Sequence, residues 1–285
     1  MKKVLVTGAT GFIGNLVVKD LLQRGYLVIA TSSNEEKAKQ YSWYPAVTYK
    51  ILNLQALDAN INYFDYFDQP DLLIHLAWEG LPNYKASFHI DDNLPRHLLL
   101  LENLIQHGLK DLAVAGTCLE YGMREGCLSE EMEASPSVPY AIAKNSLRKE
   151  LEKLCRKNQV HFKWIRLFYM YGKGQNPNSL FAQLEKAIEN KEPVFNMSGG
   201  EQERDFLPVE QMVDTFIEIA IQQGVEGIIN CCSGQPVKVK KLVENILKEK
   251  LSSLQLNLGF YPYTDYEPMQ FWGDTTKLKK ITHHD

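Results

Sequence analysis

Short unbroken apolar runs alternate along the chain with stretches that keep a helical period. The run "KVLVTG" (3–8) closes on glycine and predicts a strand covered on both faces. Ile13, Leu16, Val17 and Leu21 then fall on one helical stripe, and Gly25 stands where that helix stops. "YLVIAT" (26–31), "VTYKILN" (47–53) and "DLLIHLA" (71–77) predict three more strands. "NLPRHLLLLENLIQHG" (93–108) reads as a long, largely buried helix ending at Gly108. "DLAVAGT" (111–117) predicts a strand, 140–157 a helix, and "HFKWIRLF" (161–168) another strand. This alternation is that of an α/β fold, a mostly parallel sheet with helices on both faces.

The regularity weakens after residue 170. "GKGQNPNS" (172–179) has loop composition, and a helix at 180–190 follows. "VEQMVDTFIEIAIQQG" (209–224) and "GIINCCSG" (227–234) restore a helix and a strand. The expected division is a large domain over 1–170, with 204–234 returning to it, and a smaller lobe from 171–203 and 235–285. A chain of 285 residues accommodates both, and no repeat interrupts it.

Composition removes several classes of function. The net charge of −4 gives no electrostatic footprint for nucleic acid. The lysine-rich run at 237–250 keeps apolar residues at helical spacing and reads as a solvated helix face. No apolar stretch is long enough for a membrane span. The opening "MKKVLV" lacks the extended apolar core of a signal peptide, so a cytoplasmic protein is expected. The five cysteines, Cys118, Cys127, Cys155, Cys231 and Cys232, are odd in number and lack C-x-x-C spacing. Neither a disulfide framework nor a zinc site is expected. The histidines, including His283 and His284, show no ligand spacing, and no metal is predicted.

Two patterns carry chemistry. In "TGATGFIG", Gly8, Gly11 and Gly14 fall at steps of three between a strand and a helix. Such a turn lets backbone N–H groups approach a pyrophosphate at the helix N-terminus. An acid ending the second strand would favour NAD by accepting bonds from the ribose hydroxyls. Ser32 stands there instead, beside Ser33 and Asn34, with Lys37 nearby. That favours NADP over NAD, although Glu35 and Glu36 weigh the other way. The second pattern is Tyr140 and Lys144, four residues apart on one helical face. An ammonium beside a phenol lowers the phenol's pKa and makes it a proton donor to a carbonyl. Thr117, at the carboxyl end of a strand, is placed to bond the same substrate oxygen.

These segments, followed by "RLFYMYGKGQ" and "ERDFLPVEQMV", occur in one order that resembles the extended short-chain dehydrogenase/reductase family of nucleotide-sugar epimerases, dehydratases and reductases. The resemblance covers nearly the whole chain. It implies a Rossmann-type doubly wound sheet, a catalytic set of Thr117, Tyr140 and Lys144, and a C-terminal lobe that grips a nucleotide diphosphate sugar. It implies that Gly8, Gly11, Phe12, Ile13 and Gly14 cradle the cofactor pyrophosphate, while the position of Ser32 and Ser33 at the end of the second strand puts them at the adenosine ribose. Asn53 and Leu54 match the adenine side, Leu76 and Ala77 a segment lining the cofactor, and Asn93 the asparagine that opens the long helix. Lys144 would also hold the nicotinamide ribose. Arg204 matches an arginine that reaches the substrate phosphates, and Tyr169 replaces an asparagine in the substrate lobe. A homodimer through the helices at 93–108 and 140–157 follows by analogy alone.

Departures from the family pattern narrow the reaction. Sugar dehydratases carry Asp-Glu directly after the catalytic threonine, and Cys118 and Leu119 stand there. Leucine cannot move protons, so dehydration is disfavoured. GDP-fucose-synthase-like enzymes carry a cysteine at the place of Leu119, and Cys118 falls one residue early. Pro208 replaces a common histidine after "RDF". Trp78, Phe271 and Trp272 fit either a pocket wall or the core. The expected activity is NADPH-dependent reduction of the C4 carbonyl of a nucleotide-linked 4-keto-6-deoxy sugar, as in the making of bacterial surface polysaccharides. The alternative is an NAD-dependent nucleotide-sugar 4-epimerase.

Overall fold

The structure, a computed structural model, describes residues 2–282; His283 and His284 lie outside them. Seven parallel strands form the central sheet: β1 (Lys3–Thr7), β2 (Leu27–Ser32), β3 (Thr48–Ile51), β4 (Leu72–His75), β5 (Asp111–Thr117), β6 (His161–Leu167) and β7 (Gly227–Cys231). Their order across the sheet is β7-β6-β5-β4-β1-β2-β3. The chain winds outward from β1 to β3, then crosses back to lay β4 on the other side of β1. That reversal opens a crevice at the carboxyl ends of β1 and β4, where open sheets bind ligands.

Both faces of the sheet are covered, which explains the unbroken apolar runs. On one side α1 (Phe12–Gln23) packs with a later helix, Val209–Ile221, around Val6, Val17, Leu21, Val213 and Phe216. On the other, α2 (Leu94–Gln106) and α3 (Pro139–Asn158) pack around Leu73, Leu101, Leu147 and Trp164. The helix expected from residue 93 begins within one residue of that point, at Leu94. A wide turn, His89–Asn93, leads into α2, whose first turn carries Pro95, a residue suited to that place.

The smaller lobe uses strands the sequence left undrawn. Tyr169–Tyr171, Glu203–Pro208 and Pro236–Lys238 form one small sheet, and Val194–Asn196 pairs with Gln255–Asn257. Helices Leu180–Glu189 and Val239–Glu249 close over them around Phe181, Leu184, Phe195 and Val243. Glu203–Pro208 pairs within this lobe, and the chain re-enters the large body at Val209. Phe271–Gly273 crosses back to pair with Gly126–Leu128, in the connection between β5 and α3. Leu278 then buries itself in the core on the α1 face of the sheet, beside β7.

Candidate active site

The glycine turn meets the demands of a dinucleotide. Gly8 leaves β1 in a left-handed conformation (φ 69°), and a Cβ there would lie 2.8 Å from the N of Ala77. A Cβ on Gly14 would lie 2.1 Å from the carbonyl oxygen of Gly8, so the helix seats directly on the turn. Gly11 caps α1 without a side chain, and its first turn carries no acid. The N–H groups of that turn therefore face outward, with the positive end of the helix dipole behind them. Phe12 and Ile13 are half-buried and pack on the core behind the turn.

A cavity of about 220 Å³ extends from this turn. Gly8, Gly11, Ser32, Ser33 and Lys37 line one side of it, and Leu54, Leu76, Ala77 and Trp78 the other. The hydroxyl of Thr31, also on the wall, is buried with no hydrogen-bond partner in the protein. The residues present thus fit a dinucleotide. Ser32 shares a 2.8 Å hydrogen bond with the Tyr49 hydroxyl. The two acids nearby are turned aside: Glu35 accepts from the Tyr44 hydroxyl at 2.6 Å, and Glu36 pairs with Lys39 at 2.7 Å. Asn53 stands apart from this wall. Its side-chain oxygen accepts the N–H of Gln55, and its neighbours Leu52 and Leu54 face the cavity instead. Asn93 is also elsewhere; buried, it donates to the carbonyl of Glu79 and steadies the loop after β4.

The carboxyl end of β5 and the first turns of α3 bring Thr117, Tyr140 and Lys144 together, all buried. The Thr117 hydroxyl accepts the N–H of Leu119 at 3.3 Å and lies beside the Tyr140 phenol. The Lys144 ammonium donates to the carbonyl of Ala115 at 2.8 Å and lies 4.1 Å from the centre of the Trp78 ring. Tyr140 meets Trp78, Tyr84 and His89 at ring distances of 5.9, 5.5 and 5.3 Å. Leu119 and Val138 complete an apolar, aromatic box. Burial sets the electrostatics. It pushes the Tyr140 phenol well above its ordinary value, against the smaller opposing effect of the neighbouring Thr117 hydroxyl. It pulls Lys144 down to about 7, against the charge of Glu120. The sequence has the lysine acidifying the tyrosine; here withdrawal from water is the larger effect on the phenol.

Behind Trp78 runs a buried polar chain. Thr7 Oγ1 bonds His75 Nδ1 at 2.8 Å, and His75 Nε2 bonds His97 Nδ1 at 2.8 Å. The Trp78 indole stacks on His97 at 4.5 Å. Burial drives both imidazoles down, His75 to about 3, so both are neutral.

On the lobe side, Arg204 is buried rather than extended into the cleft. It donates to the carbonyls of Glu203 and Met269 and pairs with Glu267 at 3.2 Å. Its guanidinium lies 4.4 Å from the ring centre of Phe271, which is core, and 5.9 Å from that of Tyr169. The buried Tyr169 phenol is pushed up, first by burial and then by the charge of Glu267. Cys118 sits nearby as a buried thiol, also pushed up by burial.

Sequence reasoning did not single out Tyr84, Glu120, Glu267 or the histidine pair. Glu120 alone had a signal: Thr117-x-x-Glu120 has the spacing of a capping box, and the structure contains one. Among the described residues, no group of three His, Cys, Asp or Glu is placed to hold a metal, and no helix is long and apolar enough to cross a membrane.

The sequence profile of the NAD dependent epimerase/dehydratase family matches residues 4–232. The chain belongs to that family. Like other members of the NAD dependent epimerase/dehydratase family, it is an enzyme built on a Rossmann-type sheet. Its relatives include dTDP-6-deoxy-L-talose 4-dehydrogenase (NAD+) of Aggregatibacter actinomycetemcomitans, 29% identical over 95% of this chain and 98% of that one. dTDP-4-dehydro-6-deoxyglucose reductase of Escherichia coli is 23% identical over 85% of this chain and 80% of that one. Among solved structures, the UDP-N-acetylglucosamine 4-epimerase of Methanobrevibacter ruminantium superposes with a TM-score of 0.85. At 24% identity it covers 99% of this chain and 92% of that one, a likeness of fold.

Proposed function

We propose that this protein is an NADPH-dependent reductase of a nucleotide-linked 4-keto-6-deoxy sugar. The observation that carries the reading is the box around the Tyr140 hydroxyl. Leu119, Val138, Trp78, Tyr84 and Tyr266 wall it with apolar and aromatic surface, and Leu119 occupies the place where a dehydratase would carry an acid. Such a box suits a methyl at C6 and offers nothing to shuttle protons at C5 and C6. Two relatives, dTDP-6-deoxy-L-talose 4-dehydrogenase and dTDP-4-dehydro-6-deoxyglucose reductase, act at C4 of dTDP-linked 6-deoxy sugars by their names.

The bound dinucleotide would supply hydride to the C4 carbon. The chain's own part is to handle the oxygen. The Tyr140 hydroxyl passes its proton to the developing alkoxide, and the Thr117 hydroxyl bonds the same oxygen as charge forms. The Lys144 ammonium, tied to the Ala115 carbonyl, would hold the nicotinamide ribose and favours negative charge nearby. The aromatic walls exclude water, which strengthens each of these interactions. The glycine turn before α1 and the cavity beside it would hold the pyrophosphate and adenosine. Ser32, Ser33 and Lys37 favour a 2′-phosphate, the more so because Glu35 and Glu36 are engaged elsewhere. NAD is the second choice, and the relative named for NAD+ supports it.

A panel of dTDP-, CDP-, GDP- and UDP-linked 4-keto-6-deoxy sugars, offered with NADPH and NADH, tests the reading through loss of the reduced cofactor's absorbance. Turnover of one nucleotide series with NADPH preferred is the expected result. The second reading is a nucleotide-sugar 4-epimerase that uses the same Thr117, Tyr140 and Lys144. It predicts purified enzyme carrying tightly held NAD, with sugar interconverted and no net cofactor consumed.

A further inference from the structure

Glu120 is fully buried one turn beyond Thr117. One carboxylate oxygen accepts the N–H of Thr117 at 2.9 Å and the indole N–H of Trp164 at 2.8 Å. The other accepts from Arg166 Nε at 3.0 Å and lies 3.9 Å from Arg148 Nε. Room for this comes from Gly116, where a Cβ would lie 2.3 Å from Trp164 Nε1 and 2.8 Å from the Glu120 oxygen. The same indole separates the carboxylate from Lys144, whose ammonium lies 6.0 Å from the Trp164 ring centre. That ammonium is tied to Ala115, beside Gly116. One buried anion therefore touches the strand end that carries Thr117 and faces the helix that carries Lys144.

We propose that Glu120 is a positioning residue: its carboxylate locks the backbone at Thr117 and, across the Trp164 indole, is the counter-charge that keeps Lys144 an ammonium. This rests on Thr117, Tyr140 and Lys144 being the reacting set. The other groups around Lys144 cannot supply that charge. His75 from β4, His97 from α2 and His89 from the turn before it are all held toward the neutral form by burial. Tyr140 stays a neutral phenol, and Trp78 offers only its ring face. Arg166 and Arg148 are cations bonded to Glu120 itself or poised beside it. Glu120 is the charge that raises Lys144 against its burial.

The test is the pH dependence of NADPH binding, read by quenching of tryptophan fluorescence, alongside the melting temperature. In the wild type, binding weakens on the alkaline side as Lys144 loses its proton. Glu120→Gln should move that limb to lower pH by about one unit, making binding about tenfold weaker on the alkaline side. Glu120→Asp, which keeps the charge, should hold the wild-type limb while turnover falls through a looser Thr117. If the Gln variant misfolds around a stranded guanidinium, Arg166→Gln reads the same charge with the opposite sign: with Glu120 kept and its cation partner removed, the limb should move to higher pH, and an unmoved limb overturns the counter-charge role. An unmoved limb in a folded Gln variant overturns the counter-charge role, as does a limb that moves equally in the Asp variant. Full turnover by Tyr140→Phe would instead overturn the reacting set, independently of Glu120.

Discussion

The cofactor half of the cleft and the half proposed to take the sugar nucleotide are built on different principles. The first is made of backbone: a turn of glycines, the bare N-terminus of α1, and the carboxyl ends of β1 and β4 drawn together. The second is made of side chains from distant segments. Arg204 meets Glu267, Lys85 pairs with Asp265 at 2.7 Å, and Tyr84 packs on Tyr266 at 5.9 Å. A backbone site tolerates drift in everything except its glycines. A side-chain site is respecified by a single exchange, which makes it the part free to change sugar or nucleotide while the chemistry stays fixed.

The largest effect expected on this contrast comes from Tyr140→Phe. Losing the proton donor should lower kcat by about 10²–10⁴-fold, while fluorescence titration shows NADPH binding nearly unchanged; comparable turnover would erase the division of labour. Next comes Glu267→Gln, which leaves the Arg204 guanidinium buried without its charge partner. Breaking a buried pair costs on the order of 3 kcal/mol. We expect a lowered melting temperature and a KM for the sugar nucleotide that rises far more than the KM for NADPH. If both KM values rise alike, the halves are not separable.

Acid should reveal the cofactor half's buried histidines. His75 is neutral when folded, with its pKa near 3, and free to protonate near 6.5 when unfolded. Its folded-state pKa is the lower one, so stability is intact above pH 6.5 and falls steadily between pH 6.5 and 3. At pH 5 the loss from His75 alone is about 2 kcal/mol, and urea unfolding across that window measures it. His75→Asn should flatten the slope. The smallest effect belongs to Lys37→Ala. An exposed cation is worth up to about 1 kcal/mol, so the KM for NADPH should rise about fivefold and that for NADH should stay put.

What the sequence disclosed follows the same line. β1, α1, β5 and α3 were legible because period, glycine and helix spacing are local properties, and Thr117, Tyr140 and Lys144 ride on those elements. Asn53 and Asn93 were named from order along the chain, yet their side chains are spent on neighbouring backbone groups. The substrate lobe was the least readable. Its strands are three to six residues long, and its pairings, such as Glu203–Pro208 beside Tyr169–Tyr171, are set by tertiary packing rather than alternation. The partner of Arg204 lay beyond any spacing rule, because Glu267 reaches it from a segment without periodic pattern.

The pairing of Phe271–Gly273 with Gly126–Leu128 makes the far end of the chain a splint for the crossover that delivers Tyr140 to its place. Damage to that late strand, by cleavage or by a proline at Trp272, would register first as misaligned proton transfer and only afterwards as poor grip on the sugar.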